Sequence, residues 1–291
     1  VWTTLRQRIS TVSIALLAIA VTVLVWLAAQ SQPDGKLHVW FLDVGQGHAV
    51  LIETPNGAQI LVDGGPNPTR LRSAIGDALP FWDRSLDLMI VTQPRSSAIS
   101  ALPALLDHYS IELALHNGHA SDSEDYRALV AAWQKHAIGT EEVFAGYSIE
   151  TNDGVTLEIL HPQAIPTPDD DSDRVAMVLR VVYGDTTFLL TPTLDEHAEE
   201  AMLNAGWYAG STVLELPAYG KDDMNSSDFL TTINPQVGVV GVAAGNRSGL
   251  PDSNTIERLH TLTGQTLYRT DQHGTIEMVT DGHTLWVYTE H

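Results

Sequence analysis

The sequence predicts a mixed α/β domain of two β-rich halves, each carrying helices, behind one apolar N-terminal segment. Three observations predict it. Short apolar or alternating runs of strand length recur from residue 37 to the C-terminus, bounded by Gly, Pro, Asn and Asp. Stretches with helix-capping residues fall between them in both halves. Hydrophobic residues make up 44% of the 291, enough for one large core. Such a pattern suits two sheets packed face to face with helices outside.

Taken in order, Leu37–Val44, Ala49–Glu53 and Gln59–Val62 read as strands, with Pro55-Asn56-Gly57 as the turn between the second and third. Pro68–Leu79 reads as a helix, Leu86–Thr92 as a buried strand, Ala98–Tyr109 as a helix and Ile111–Leu115 as a strand. Ser121 or Asp122 can cap a helix running to His136, whose first turn holds Glu124 and Asp125 where the helix dipole favours them. Val155–Leu160, Ala176–Tyr183 and Thr186–Leu190 follow as strands, the last two joined at Gly184-Asp185. The acidic Thr167–Arg174 is expected to be an exposed loop. Asp195–Ala205, Ser226–Ile233 and Thr255–Leu262 read as helices; Val213–Leu216, Val237–Val242, Thr266–Tyr268, Thr275–Val279 and Thr284–Tyr288 read as strands. No solenoid repeat is present.

The N-terminal segment stands apart. No charged residue occurs from Ile9 to Gln32, and a helix of roughly 20 apolar residues spans a bilayer core. Four pieces result: a cytoplasmic segment 1–11, a transmembrane helix 12–30, a linker 31–36 and the domain 37–291. Arg6 and Arg8 before the helix put the N-terminus in the cytoplasm and the domain outside, in a single-pass arrangement at the cell membrane. A cleaved signal peptide is the rival reading, but Trp26-Leu27 stands where small residues are needed. The chain opens on Val, which fits an alternative start codon or the end of a longer membrane protein.

Cysteine is absent, so disulfides and thiolate metal sites are excluded. The formal net charge of −21 opposes a simple nucleic-acid-binding surface, since phosphates call for Lys and Arg.

Two Gly-rich strings carry the most information. Phe41-Leu42-Asp43-Val44-Gly45-Gln46-Gly47 follows the first strand, and Val62-Asp63-Gly64-Gly65 ends the third. Each is a strand-end turn in which glycine permits positive φ and close backbone approach, and Asp63 can accept hydrogen bonds from turn amides. Together they resemble the opening of the metallo-β-lactamase-like domain of the ComEC DNA-uptake family, F-L-D-V-G-Q-G-D followed by a hairpin and I-D-G-G. His48 stands where that family usually has Asp. The likeness continues through Pro80-Phe81-Trp82-Asp83, Asp153-Gly154-Val155-Thr156-Leu157-Glu158, Leu160-His161-Pro162, Phe229-Leu230 and Tyr268-Arg269-Thr270-Asp271. It implies a metallo-β-lactamase-like four-layer αβ/βα sandwich from residue 37 onward, with the apolar segment resembling the family's last membrane helix.

The resemblance also implies where chemistry should lie. Active members of the fold hold two divalent metals, such as zinc or manganese, which activate a shared water. Their first ligand station reads T-H-P-H-A-D-H; here Thr92-Gln93-Pro94-Arg95-Ser96-Ser97-Ala98 puts Gln93, Arg95, Ser97 and Ala98 at ligand positions. The second, L-L-T-G-D, becomes Leu189-Leu190-Thr191-Pro192-Thr193, with Thr193 replacing the bridging Asp. The third, H-H-G-S, becomes Ala218-Tyr219-Gly220-Lys221. The fourth, N-R-Y-G-H-P-H-P, becomes Asn246-Arg247-Ser248-Gly249-Leu250-Pro251-Asp252-Ser253, with Leu250 and Asp252 replacing His. Asp43, Gly45, Gln46, Gly47, Asp63, Gly64, Gly65, Thr92, Pro94, Gly220, Asn246, Arg247 and Gly249 are retained.

The expectation is a metal-free pseudo-enzyme without catalytic residues, bound to a membrane and serving a DNA-uptake apparatus through DNA or channel proteins. No nucleotide cofactor is expected. Arg95, Lys221 and Arg247 could contact phosphate. An active metal-dependent nuclease with other ligands, and an acidic protein-interaction module, are the alternatives. Among other candidates, His48 reads as a surface residue at a strand start, His116-Asn117-Gly118-His119 and Asp169-Asp170-Asp171 as solvated loops, and Asp195-Glu196-His197 as capping charge. No G-x-S-x-G elbow supports a Ser hydrolase.

Overall fold

Alternation along the strands decides the layers. In β1 (Leu37–Phe41) the side chains of Leu37, Val39 and Phe41 enter one core while Trp40 enters another. In β2 (Val50–Glu53), Val50 and Ile52 join the first group and Leu51 the second. Successive residues of a strand point to opposite faces, so a sheet with both faces apolar must be covered twice. The computed structural model describes residues 13–22, 32–167, 169–206, 210–264 and 266–291. The chain divides into two units, residues 1–34 and 35–291.

In the larger unit, the first sheet runs in the order β15-β14-β1-β2-β3-β4-β5-β6. Its remaining strands are β3 (Gln59–Val62), β4 (Ser85–Val91), β5 (Ser110–His116), β6 (Gly139–Glu142), β14 (Ile276–Thr280) and β15 (Leu285–Thr289). The second runs β13-β12-β11-β10-β9-β8-β7, from β7 (Ser148–Glu150), β8 (Val155–His161), β9 (Val178–Tyr183), β10 (Thr186–Leu190), β11 (Val213–Glu215), β12 (Val237–Val240) and β13 (Thr266–Arg269). One core lies between the sheets and takes Phe41, Ile52, Ile90, Leu179 and Phe188. A second packs the first sheet against α1 (Pro68–Ala78), α2 (Ser96–Ile99), α3 (Leu102–Leu106) and α4 (Glu124–Lys135). A third packs the other sheet against α5 (Glu196–Ala205), α6 (Ser227–Ile233) and α7 (Ser253–Thr263). The fold is thus mixed α/β with two sheets and helices on both outer faces.

Several expectations are corrected. The stretch Ala98–Tyr109 is broken into α2 and α3, because Pro103 lacks an N–H and its ring collides with the preceding turn of a continuous helix. The cap of α4 is Ser123, whose hydroxyl accepts from the amide of Tyr126; Ser121 lies two residues earlier and accepts from the amide of Ser123. The C-terminal strands β14 and β15 return to the first sheet, where β14 pairs with β1.

Of the expected transmembrane span, 13–22 is helical and exposed, while the rest lies outside the described residues. Among the described residues, no helix is long and apolar enough to cross a membrane.

Candidate functional site

The Gly-rich strings build a cradle at the carboxyl ends of β3 and β4. Asp63, fully buried, turns the chain out of β3 at a φ of 57°. Its Oδ1 accepts from the amide of Thr92 at 2.9 Å and its Oδ2 from the Thr92 hydroxyl at 2.5 Å. The amides of Gly64 and Gly65 both donate to the carbonyl of Ala98, and the amide of His48 donates to that of Ser97. Side chains are excluded there: a Cβ on Gly47 would lie 2.3 Å from Pro66 Cδ and 2.5 Å from the Ser97 carbonyl oxygen. Gln46 Oε1 accepts from the amide of Ala243, tying this turn to the loop after β12. There Asn246 donates to the carbonyls of Ala243 and Leu250 and accepts from the amide of Leu250. Gly249 turns the loop at a φ of 68°.

Asp43 lies apart from this cradle, paired with Arg70 of α1 at 2.9 Å. The retained Asp63, Thr92, Gly47, Gly64, Gly65, Gln46 and Asn246 therefore all act on backbone geometry here.

The ligand positions converge at the same end of the two sheets, with other chemistry. Gln93 Nε2 donates to Thr193 Oγ1 at 2.9 Å, and both residues are buried. Ala98 is fully buried in the helix-side core. Arg95 forms an ion pair with Asp173 at 2.8 Å, and Lys221 one with Asp223 at 3.0 Å; both cations are half exposed. Arg247 is exposed on its loop. Asp252 occupies the N-cap position of α7 without a capping hydrogen bond from its side chain, and donates its amide to the carbonyl of Gly220 at 2.9 Å. Gly220 has a φ of 74°, and a Cβ there would lie 2.6 Å from Pro251 Cβ. Leu250 is half-buried and packs against the second-sheet core with Tyr219. Ala218 and Tyr219 both hold left-handed backbone, at φ 48° and 63°, a conformation that costs free energy in residues with side chains.

Two residues of the centre were misjudged or missed. His48 is buried, with Nδ1 2.7 Å from Glu215 Oε1 and its ring stacked on Tyr219 at 5.0 Å. The expectation of a surface histidine fails because β11 brings Glu215 against it from 167 residues away. Burial works to lower the pKa of His48, but Glu215 and Asp63 outweigh it and hold the imidazole above its ordinary value. Burial pushes the Asp63 carboxyl up to about 7, against the two hydrogen bonds from Thr92. Burial likewise pushes the Tyr219 phenol up to about 12; its hydroxyl faces Ser97 outside hydrogen-bond geometry.

His119 and Asn117 are also buried rather than solvated, Asn117 donating to the carbonyl of Val175 at 2.7 Å. His119 lines an open cleft of about 390 Å³ with Arg95, Ser121, Asp122, Asp170 and Ser172. Asp195 does act as a cap, accepting from the amide of Ala198.

The residues present do not fit a pair of divalent metals. Gln, Arg, Ser, Ala, Thr, Tyr, Leu and Asp stand at the stations; a guanidinium has no lone pair to give, and Asp252 is the one carboxylate among them, with no pair of further ligands beside it among the described residues. Glu215 is already engaged by His48 and Asp63 by Thr92. Among the described residues, no three His, Asp or Glu side chains converge so as to hold an ion.

No family model matches the chain. Among solved structures it is similar to the metallo-β-lactamase fold protein YhfI from Bacillus subtilis, with a TM-score of 0.54, 11% identity, and coverage of 87% of this chain and 99% of that one. At that identity the likeness is one of fold, and the two-sheet domain is of the metallo-β-lactamase kind. Among curated proteins, ComE operon protein 3 of Bacillus subtilis (strain 168) is 25% identical over 253 residues, 81% of this chain and 32% of that protein. Competence protein ComA of Neisseria gonorrhoeae is 26% identical over 253 residues, 85% of this chain and 33% of that protein. The chain is thus a homologue of the ComEC-family competence proteins, and it spans about a third of the length of these relatives.

Proposed function

We propose that this chain is a non-hydrolytic, metal-free relative of the ComEC hydrolase-fold domain, held at a membrane by segment 12–30 and serving a DNA-uptake apparatus as a binding or structural part. The observation that carries the reading is the bond between Gln93 and Thr193. Two positions that would face a shared pair of ions instead hydrogen-bond each other with neutral groups in a buried place, through Gln93 Nε2, while Gln93 Oε1 has no partner among the described residues. Buried polar groups need such partners, and the arrangement leaves the strand ends closed without an ion.

The test is metal content of the full chain purified without chelators, beside a zinc-site protein prepared identically. Less than about a tenth of an equivalent is expected, since a two-metal centre retains its ions through purification. Single-stranded and duplex DNA should remain uncut in added manganese. One or two equivalents of zinc or manganese, or metal-dependent cleavage, would return the nuclease reading to first place.

A second reading, docking of a basic protein partner, is favoured by the pairing of Arg95 with Asp173 and of Lys221 with Asp223. Those two cations are neutralised by neighbours, so the surface they share offers little to a phosphate backbone. Arg95→Ala should then leave single-strand binding unchanged in a fluorescence-anisotropy titration. A clear loss of affinity would show that Arg95 exchanges Asp173 for phosphate.

A further inference from the structure

We propose that His48 is a resident cation of this fold, which neutralises Glu215 and ties the two sheets together at the end where the ligand positions converge. The inference rests on the metal-free reading above and adds to it which group carries positive charge there.

Topology is the first support. His48 belongs to the loop between β1 and β2 of the first sheet, and Glu215 is the last residue of β11 in the second. Their side chains meet at 2.7 Å with 3% and 4% of their surface exposed. A carboxylate so enclosed is costly unless a cation and hydrogen bonds compensate it.

The surrounding charges identify that cation. The titratable groups facing His48 are Glu215 from β11, Asp63 from the end of β3, and Tyr219 from the turn after β11. Arg95 lies beyond Tyr219 and is held at the surface by Asp173. No cation but His48 is in contact with Glu215 among the described residues. One imidazolium thus stands against one Glu215 side chain through Nδ1, while burial pushes Asp63 toward its neutral form and His48 Nε2 has no hydrogen-bond partner among the described residues.

Packing supplies the second support. Tyr219 and Ala218 hold left-handed backbone in succession. Their turn is fixed by the stack of Tyr219 on His48 and by the Ala218 amide, which donates to the carbonyl of Pro192. The Thr191 hydroxyl in turn donates to the backbone carbonyl of Glu215. Removing the cation therefore loosens the ends of β10 and β11 together.

The experiment is a double-mutant cycle on the full chain, with thermal unfolding of wild type, H48Q, E215Q and H48Q/E215Q, each with and without chelator. Each single variant should lower the midpoint by about 10 °C, because one member of a buried pair is left alone. The double variant should recover part of that loss. A nitrogen-detected NMR spectrum of wild type at neutral pH should show both ring nitrogens of His48 protonated, and H48Q identifies the signal. Additive losses, or a neutral His48 tautomer, would overturn the proposal while leaving the metal-free reading intact. A wild-type midpoint that falls with chelator would instead overturn the reading on which it rests.

Discussion

The unfolding midpoint of this protein is expected to fall as the pH rises from about 5 to about 8. Asp63 and Glu199 are both pushed up to about 7 by burial, Asp63 from 3.8 and Glu199 from 4.5. A carboxyl raised in the folded state binds its proton more tightly there than in the unfolded chain. Its contribution is complete below the unfolded value and is lost as the pH rises toward 7. His48, also raised, acts in the same direction: its contribution is present below 6.5 and lost as the pH climbs through its folded value. The lowered carboxyls, Asp107, Asp153, Asp170, Asp222 and Asp281, act in the opposite sense below their ordinary range, and His116 and His161, lowered by burial, oppose the trend below 6.5, leaving the two carboxyls and His48 to set the direction above it.

Shifts of this size correspond to at most about 4 kcal/mol for each buried carboxyl, so stability should be greatest on the acid side of neutrality. The net charge of −21 adds repulsion in the same direction. Calorimetric unfolding across the range, repeated on Asp63→Asn, measures it. The variant should show a flatter profile, and a wild-type midpoint that climbs with pH would refute the assignment.

Gly47→Ala should cost at least about 3 kcal/mol, and chemical denaturation reads it directly. The added methyl would meet both a rigid proline ring and a backbone carbonyl, at 2.3 and 2.5 Å. Relief requires moving residues 97 and 98, whose carbonyls accept from His48, Gly64 and Gly65. The clash is thus transmitted to the hydrogen bonds that shape the centre. Gly45→Ala makes the useful comparison: nothing lies within 4 Å of its Cβ position, so it carries only the strain of a φ of 88°. Equal losses in the two variants would show that crowding at Gly47 is unimportant.

Much of the fold was legible because burial and periodicity agree. β3 and β10 occupy the predicted residues, and β4 differs by one at each end. What escaped was polar or non-local. β6 and β7 were missed: Gly139–Glu142 is wholly exposed at a sheet edge, without apolar alternation to mark it. The return of β14 to β1 depends on contacts between residues 37 and 280, which no local window contains.

The same distinction governs the centre. The altered ligand stations could be recognised only through the resemblance to a family, since Gln93 and Thr193 are unremarkable as single residues. Glu215 ends an apolar strand and was not singled out. Its meaning comes from His48 standing opposite, a fact of packing between sheets.

The contact between Gln93 and Thr193 also bears on how freely this centre can change. Histidine at position 93 alone would have to replace the Gln93 amide as donor to the Thr193 hydroxyl and would find no ligand set beside it among the described residues. Aspartate at position 193 alone would place a carboxylate in the same enclosed spot with only an amide to meet it. Each single step toward metal chemistry is therefore uphill, and only several made together could be repaid by an ion. The bond thus couples positions 93 and 193, so that a change at either one is felt at the other.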